Sequence, residues 1–184
     1  FCYDDYKTHL GKNLIKKKII TKNNIYKLHF DYIIISPGID IKNCKLSKFL
    51  KKNKKKIITD LDVFNLVNPK NFKIAITGTN GKSTTAKILF DILKKSKKDV
   101  RLCGNIGKPI LNEKNIKDQT YFVIEISSYQ MEYSNFFKSN FAAVLNISSD
   151  HLDRHKSIKK YALSKLKLLY KQDDMDRCFL DLSQ

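Results

Sequence analysis

Tryptophan is missing and arginine is nearly so, occurring only at 101, 154 and 177, although lysine and arginine together number 36. The scarcity matters because nucleic-acid readers favour the planar, bidentate guanidinium. A net charge of +18 would otherwise suggest such a reader. Abundant Lys, Asn and Ile without Trp is also the pattern of a genome rich in A and T. The lysine runs at 16–18, 51–52 and 54–56 flank expected strands or end helices. The charge is therefore read as composition bias, with attraction for anionic substrates as its physical effect. No nucleic-acid partner is expected.

Other absences narrow the class further. No apolar run approaches the ~18 residues that span a bilayer, so no membrane partner is expected. The four cysteines, at 2, 44, 103 and 178, form no CxxC pair. A zinc site is not expected, and a reducing cytoplasm fits. No repeat is visible. The chain opens on Phe1, and the closing "RCFLDLSQ" reads as a strand, so a piece cut at both ends is expected. Hydrophobic residues make up 42% of the 184, enough for a sizeable core.

What is present alternates strand with helix. "DYIIIS" (31–36) is a short apolar run, the mark of a buried parallel strand. A helix is expected over 43–52, a strand over 55–59, and a short helix over 60–67 started by Asp60. "NPKN" (68–71) has turn chemistry and reads as a linker. The rhythm then restarts: strand 73–77, turn 78–81, helix 82–95, strand 99–103 and loop "GNIGKP". Strand 120–127, a helix from Ser128, strand 141–147, loop "SSDHLDRH" and helix 157–171 follow. Strands separated by helices imply an α/β fold with a parallel sheet. Ligands of such sheets bind where the carboxyl ends of the strands open into loops.

The richest of these loops is Gly78, Thr79, Asn80, Gly81, Lys82, Ser83 and Thr84, set between a strand and a helix. That context suits a phosphate loop. Glycines let successive N–H groups point at an anion, and the helix adds its positive end. Lys82 can reach a terminal phosphate, and Ser83 can place a hydroxyl on Mg²⁺. The general pattern GxxxxGK[ST] is incomplete, because Ile76 stands where its first glycine would be. An ordinary strand-to-helix turn is the alternative.

Glu125 ends the apolar strand of "VIEISSYQMEY". It reads either as a metal ligand at the sheet rim or as an acid facing water. Ser127, Ser128 and Gln130 could meet a polar substrate, or cap a helix. "NISSDHLDRH" brings Asp150, His151, Asp153, Arg154 and His155 together. A histidine among acids at a strand's carboxyl end can serve metal, phosphate or proton work. His9 and His29 have no such context. Asn105 lies in the tight "GNIG" loop, and Ser36, Pro37 and Gly38 form a turn. In the last helix, Tyr161, Lys165 and Leu169 share a face while Leu166 and Leu168 look like core. Lys165 would be costly to bury as a bare cation. It either snorkels to water or is paired or chemically changed.

As a set, "SPGI", "AITGTNGKST", "GNIG", "EISSYQME" and "NISSDHLDRH" resemble the Mur ligase family, from about Asp31 to the end of helix 157–171. Ser127-Ser128-Tyr129-Gln130 is similar to the Ser-Ser-Phe-Gln of its D-glutamate-adding members. Members adding diaminopimelate or lysine usually carry Ser-Ser-His there. Ser83 directly after Lys82 differs from the Gly-Ser of folate polyglutamylating relatives. "HKSI" (155–158) departs from the glycine many relatives carry in that loop.

The resemblance implies a P-loop-type central ATPase domain at 72–184, preceded at 1–68 by part of a Rossmann-like domain that binds the UDP substrate. It also implies a third domain, which is not expected within these 184 residues. It implies ATP-dependent addition of D-glutamate to UDP-N-acetylmuramoyl-L-alanine through an acyl phosphate, in a cytoplasmic monomer. Gly78 to Thr84 would hold ATP phosphates. Ser83 and Glu125 would hold one Mg²⁺, and His151 and a carbamylated Lys165 a second. Lys82, His151 and Lys165 would be catalytic. Ser36, Pro37, Gly38, Asn105, Ser127 and Gln130 would face the acceptor. A nucleotide- or nucleic-acid-binding module and a plain NTPase are the rival readings.

Overall fold

The computed structural model describes Tyr3 and residues 22–181. Cys2, His9, the lysines at 16–18 and the last three residues of the expected closing strand lie outside the described residues. The described elements are α1 (Lys22–Ile25), β1 (Ile33–Ile34), α2 (Ser47–Lys52), β2 (Ile57–Ile58), α3 (Asp60–Val67) and β3 (Phe72–Thr77). They continue with α4 (Lys82–Lys95), β4 (Val100–Gly104), β5 (Tyr121–Glu125), α5 (Ser128–Tyr133), β6 (Phe141–Val144), α6 (Leu152–His155), α7 (Ile158–Leu166) and β7 (Arg177–Leu180). Short 3-10 turns stand at 54–56, 110–112 and 167–169. No helix among the described residues is long and apolar enough to cross a membrane.

Contacts divide the chain into two compact units. Among the described residues, those up to 33 and 39–57 make one; 34–38 and 58–181 make the other. In the first unit, Phe49 of α2 receives the rings of Tyr26 and Phe30 edge-on, at 5.6 and 5.9 Å. Lys56 closes on the Phe30 carbonyl at 2.7 Å.

The second unit is a five-stranded sheet in the order β4-β5-β3-β6-β7, with every pair parallel. The α/β expectation with a parallel sheet holds. Leu61 and Phe64 of α3, Met131 of α5 and Leu168 pack on one face, against Ala75, Phe122, Ile124 and Ala142. Ala86, Leu89, Phe90 and Leu93 of α4 cover the other, against Ile76, Val100 and Val123. β5 is buried on both faces, which is why it reads as a continuous apolar run.

Asp62 explains why α3 belongs to this unit. Its buried carboxylate accepts from the Thr59 amide at 2.9 Å, closing a capping box at the helix start. The same carboxylate accepts from the Ser134 hydroxyl (2.7 Å) and the amides of Asn135, Phe136 and Phe137. The turn at 68–71 therefore lies inside the second unit.

Several boundaries differ from expectation. The helix over 43–52 begins only at Ser47, after turns, and the strands over 31–36 and 55–59 shrink to two residues each. Thr59, not Asp60, caps α3. The last long helix ends at Leu166 and tightens into a 3-10 turn. Leu168 is core, while Leu166 is half-buried.

Candidate active site at the carboxyl rim of the sheet

β3 lies between β5 and β6, and all three run the same way. The loops after Thr77, Glu125 and Val144 therefore open side by side at one edge. Sheet order alone brings the phosphate loop, the strand-end acid and the "NISSDHLDRH" loop together.

Gly81 sits at the helix start with φ +79°, a left-handed backbone that favours glycine. No side chain caps α4 there. The first amides of a helix have no intrahelical acceptor, so this end is suited to an anion. The loop is clamped from β6. The Thr79 amide reaches the Asn146 carbonyl at 2.8 Å, and the Asn80 amide the Asn146 side-chain oxygen at 2.8 Å. The Asn146 side-chain amide returns a bond to the Asn80 carbonyl at 3.0 Å. The Thr79 hydroxyl shares a 3.2 Å hydrogen bond with that of Tyr161. Lys82 folds back on the Thr79 carbonyl at 2.8 Å.

Glu125 is 1% exposed. Its carboxylate accepts from the Ser83 hydroxyl at 2.7 Å and the Asn105 amide at 2.8 Å. Gly104 makes the approach of the "GNIG" loop possible, since a Cβ there would stand 2.2 Å from the Glu125 carbonyl oxygen. Asn105 thus orients Glu125 in this structure.

Lys165 is 2% exposed and donates to the Gly78 carbonyl at 2.7 Å. Its ammonium lies 4.5 Å from the Tyr161 ring centroid. No carboxylate among the described residues is in ion-pair contact with it. Burial, and then the charge of Lys82, push its pKa down to about 8, against the opposing pull of Asp150. Snorkelling is therefore not what this lysine does.

His151 takes a left-handed backbone, φ +51°, uncommon for a non-glycine residue and worth a functional question. Its ring lies 3.4 Å from the Asp150 carboxylate and packs on Tyr129, centroids 5.0 Å apart. Tyr161 links it to Lys165, with its ring 6.1 Å from that of His151. His155 is buried, 3.0 Å from the Ser128 hydroxyl, and burial is the leading cause that lowers its pKa. Burial likewise raises the Tyr161 pKa.

Ser127 and Gln130 satisfy one another as a capping box, the Gln130 amide donating to the Ser127 hydroxyl at 3.3 Å. Capping, left open by the sequence, is thus realised by Ser127. The Ser36–Gly38 turn meets the site through the Gly38 carbonyl, 3.5 Å from Arg154. Asn146, Tyr161 and Arg154 were not singled out by sequence reasoning as site residues. Asn146 stood beside the noted loop, but its clamping role depends on partners 66 and 67 residues away.

No group of three His, Cys, Asp or Glu side chains among the described residues is placed to hold a metal ion. Magnesium does not need one. It keeps several waters and binds through one or two protein groups beside phosphates, a donor set that Ser83 and Glu125 fit.

Residues 76–182 match the family model of the Mur ligase middle domain, and the chain belongs to the Mur ligase family. It is 35% identical over 173 residues to UDP-N-acetylmuramoylalanine–D-glutamate ligase of Wolbachia pipientis wMel, covering 92% of this chain and 34% of that protein. It is 41% identical over 153 residues to the ligase of the same name from Elusimicrobium minutum, covering 79% and 34%. The chain thus spans about a third of the length of these curated relatives. Among solved structures, UDP-N-acetylmuramate:L-alanyl-gamma-D-glutamyl-meso-diaminopimelate ligase from Neisseria meningitides superposes with TM-score 0.57 at 14% identity, covering 88% of this chain and 55% of that one. MurF ligase from Thermotoga maritima in complex with ADP gives TM-score 0.51 at 16% identity, covering 82% and 45%. At these identities the likeness is one of fold.

Proposed function

We propose that the full-length protein is an ATP-dependent ligase that joins D-glutamate to UDP-N-acetylmuramoyl-L-alanine, acting as a monomer in the cytoplasm during peptidoglycan synthesis. Residues 72–184 would form much of its ATPase domain and 1–68 the latter part of the domain that holds the uridine nucleotide. The contact of Ser83 with Glu125 at the uncapped start of α4 is the observation that supports the nucleotide-dependent part of this reading. The names of the relatives supply the amino acid.

In this reading the acceptor carboxylate attacks the γ-phosphorus of ATP. The β–γ bridging bond breaks, giving ADP and an acyl phosphate. The D-glutamate amine then attacks the acyl carbon; phosphate leaves and the amine loses a proton. Anionic groups crowd the first step and must be neutralised. Lys82, freed from the Thr79 carbonyl, turns to the terminal phosphate. Gly78 to Thr84 wrap the phosphates with backbone amides. Asn105 keeps Glu125 aimed at Ser83. Two Mg²⁺ ions, when bound, supply charge neutralisation to the phosphates and the acceptor carboxylate. Ser83 and Glu125 would hold one, and His151 and carbamylated Lys165 the other. Lys165 suits carbamylation because it is buried without a carboxylate partner, and an uncharged amine is the form that adds CO₂. Ser36, Pro37, Gly38, Ser127 and Gln130 would line the acceptor side.

Phosphate release by the full-length protein, with ATP, the uridine acceptor and a panel of amino acids, tests the reading. D-glutamate should be strongly preferred. Equal release with another amino acid would reassign the substrate, and release without acceptor would indicate a plain NTPase. Lys82→Ala should abolish turnover while shifting Tm little, since among the described residues its ammonium bonds a loop carbonyl, that of Thr79.

A further inference from the structure

Arg154 is the most fully engaged cation at the rim that the proposed chemistry leaves unused. It lies in α6, three residues after His151. Its Nε donates to Glu132 at 2.9 Å, one Nη to the Tyr133 hydroxyl at 3.0 Å, and the other reaches the Gly38 carbonyl at 3.5 Å. Its Cζ stands 5.6 Å from the ring centroids of both Tyr129 and Tyr133. The side chain is 10% exposed.

Three segments distant in sequence thus meet on one guanidinium: the 36–38 turn, α5 and the His151 loop. A planar fork with several donors and a stacking face can do this; a lysine ammonium, a point charge, cannot. In a chain so biased toward lysine, arginine here is informative. The phosphate loop, by contrast, is held by Asn146, Tyr161 and Lys165.

We propose that Arg154 is a positioning residue that fixes the 36–38 turn, α5 and the His151 loop as one platform for the uridine-nucleotide acceptor, leaving ATP binding to the opposite side of the site. The link to the acceptor rests on the proposed ligase reading; the fixing of the turn does not.

The test uses the full-length protein with Arg154→Lys, Arg154→Met and the milder Tyr133→Phe. Both arginine variants should raise KM for UDP-N-acetylmuramoyl-L-alanine by about 10-fold or more, the scale of lost charge-assisted hydrogen bonds. KM for ATP should stay within about 2-fold. In the same variants the Gly38 amide order parameter should fall from about 0.85 toward 0.6, while those of Gly78 and Gly81 hold. Tyr133→Phe, which removes the hydroxyl that accepts from Arg154, should raise the acceptor KM by about 3-fold and serves if the arginine variants fail to fold. A wild-type acceptor KM in Arg154→Lys, an equal rise in both KM values, or an unchanged Gly38 would each overturn the proposal. Should the wild-type protein show no D-glutamate-dependent phosphate release, the ligase reading fails, and the order parameters alone decide whether Arg154 fixes the turn.

Discussion

Lys73 and Lys165 serve opposite ends of the same central strand. Each is 2% exposed, and each is pushed down to about 8 chiefly by burial. Lys73, near the start of β3, donates to the carbonyls of Pro69 (3.4 Å) and Asn71 (3.1 Å) and feels the charge of Lys138. Lys165 donates to Gly78, the first residue of the phosphate loop, and faces Tyr161, with Lys82 and Asp150 acting on its charge. Burial and a depressed pKa are common to both, so they do not mark function here. Position does: only Lys165 touches the loop expected to hold a substrate.

Removing each amine in the full-length protein should separate the two lysines by the largest margin. Lys165→Ala should lower turnover on the order of 10³-fold, the scale of losing a preorganised electrostatic group. Lys73→Ala should leave it within about 2-fold. Steady-state phosphate release reads both. A large loss from Lys73→Ala would dissolve the distinction.

Next in size is the contrast with a buried charge that is satisfied. Asp62 is wholly buried but accepts from a ring of amides and a hydroxyl. Asp62→Ala should destabilise by about 3 kcal/mol in denaturant titration, because several donors are left without an acceptor. Lys73→Met should do the opposite and stabilise by about 1–3 kcal/mol, since a shifted buried cation gives way to packing.

A smaller effect sharpens the point by pH. The pKa of Lys73 is about 8 folded, against 10.5 as its ordinary value. Within that window the unfolded chain binds more protons at this site than the folded one, so its contribution to stability rises with pH. The penalty is full below about 8 and is relieved toward 10.5. Subtracting the Lys73→Met profile from the wild type should leave that upward slope; a flat difference would place Lys73 in water. Lys138→Ala, the smallest change, should raise the Lys73 pKa slightly, since the like charge of Lys138 helps to hold it down, readable by amine-selective NMR.

The sequence was most legible where chemistry is local. A β-branched run, two glycines and Lys82-Ser83 define β3, its loop and α4 within a score of residues. Glu125 is marked by the apolar strand it ends, and Lys165 by the awkwardness of a cation on an apolar helix face. Long-range partners were not legible. Arg154 reads as one charge among several until Glu132, Tyr133 and Gly38 surround it. Ser127 and Gln130, a local pair, could be read as substrate donors or as caps, and the capping box realises the second. Lys73 was hidden by composition, because a lysine at a strand start is ordinary in a chain with so many. The two-residue strands were overdrawn because apolar runs fix burial, not pairing length.

The most direct measurement is ¹³C NMR of the full-length protein equilibrated with ¹³C-bicarbonate. A carbamate resonance is expected that persists in Lys73→Met and vanishes in Lys165→Ala. A resonance removed by Lys73→Met and kept in Lys165→Ala, or no resonance in the wild type, would contradict it.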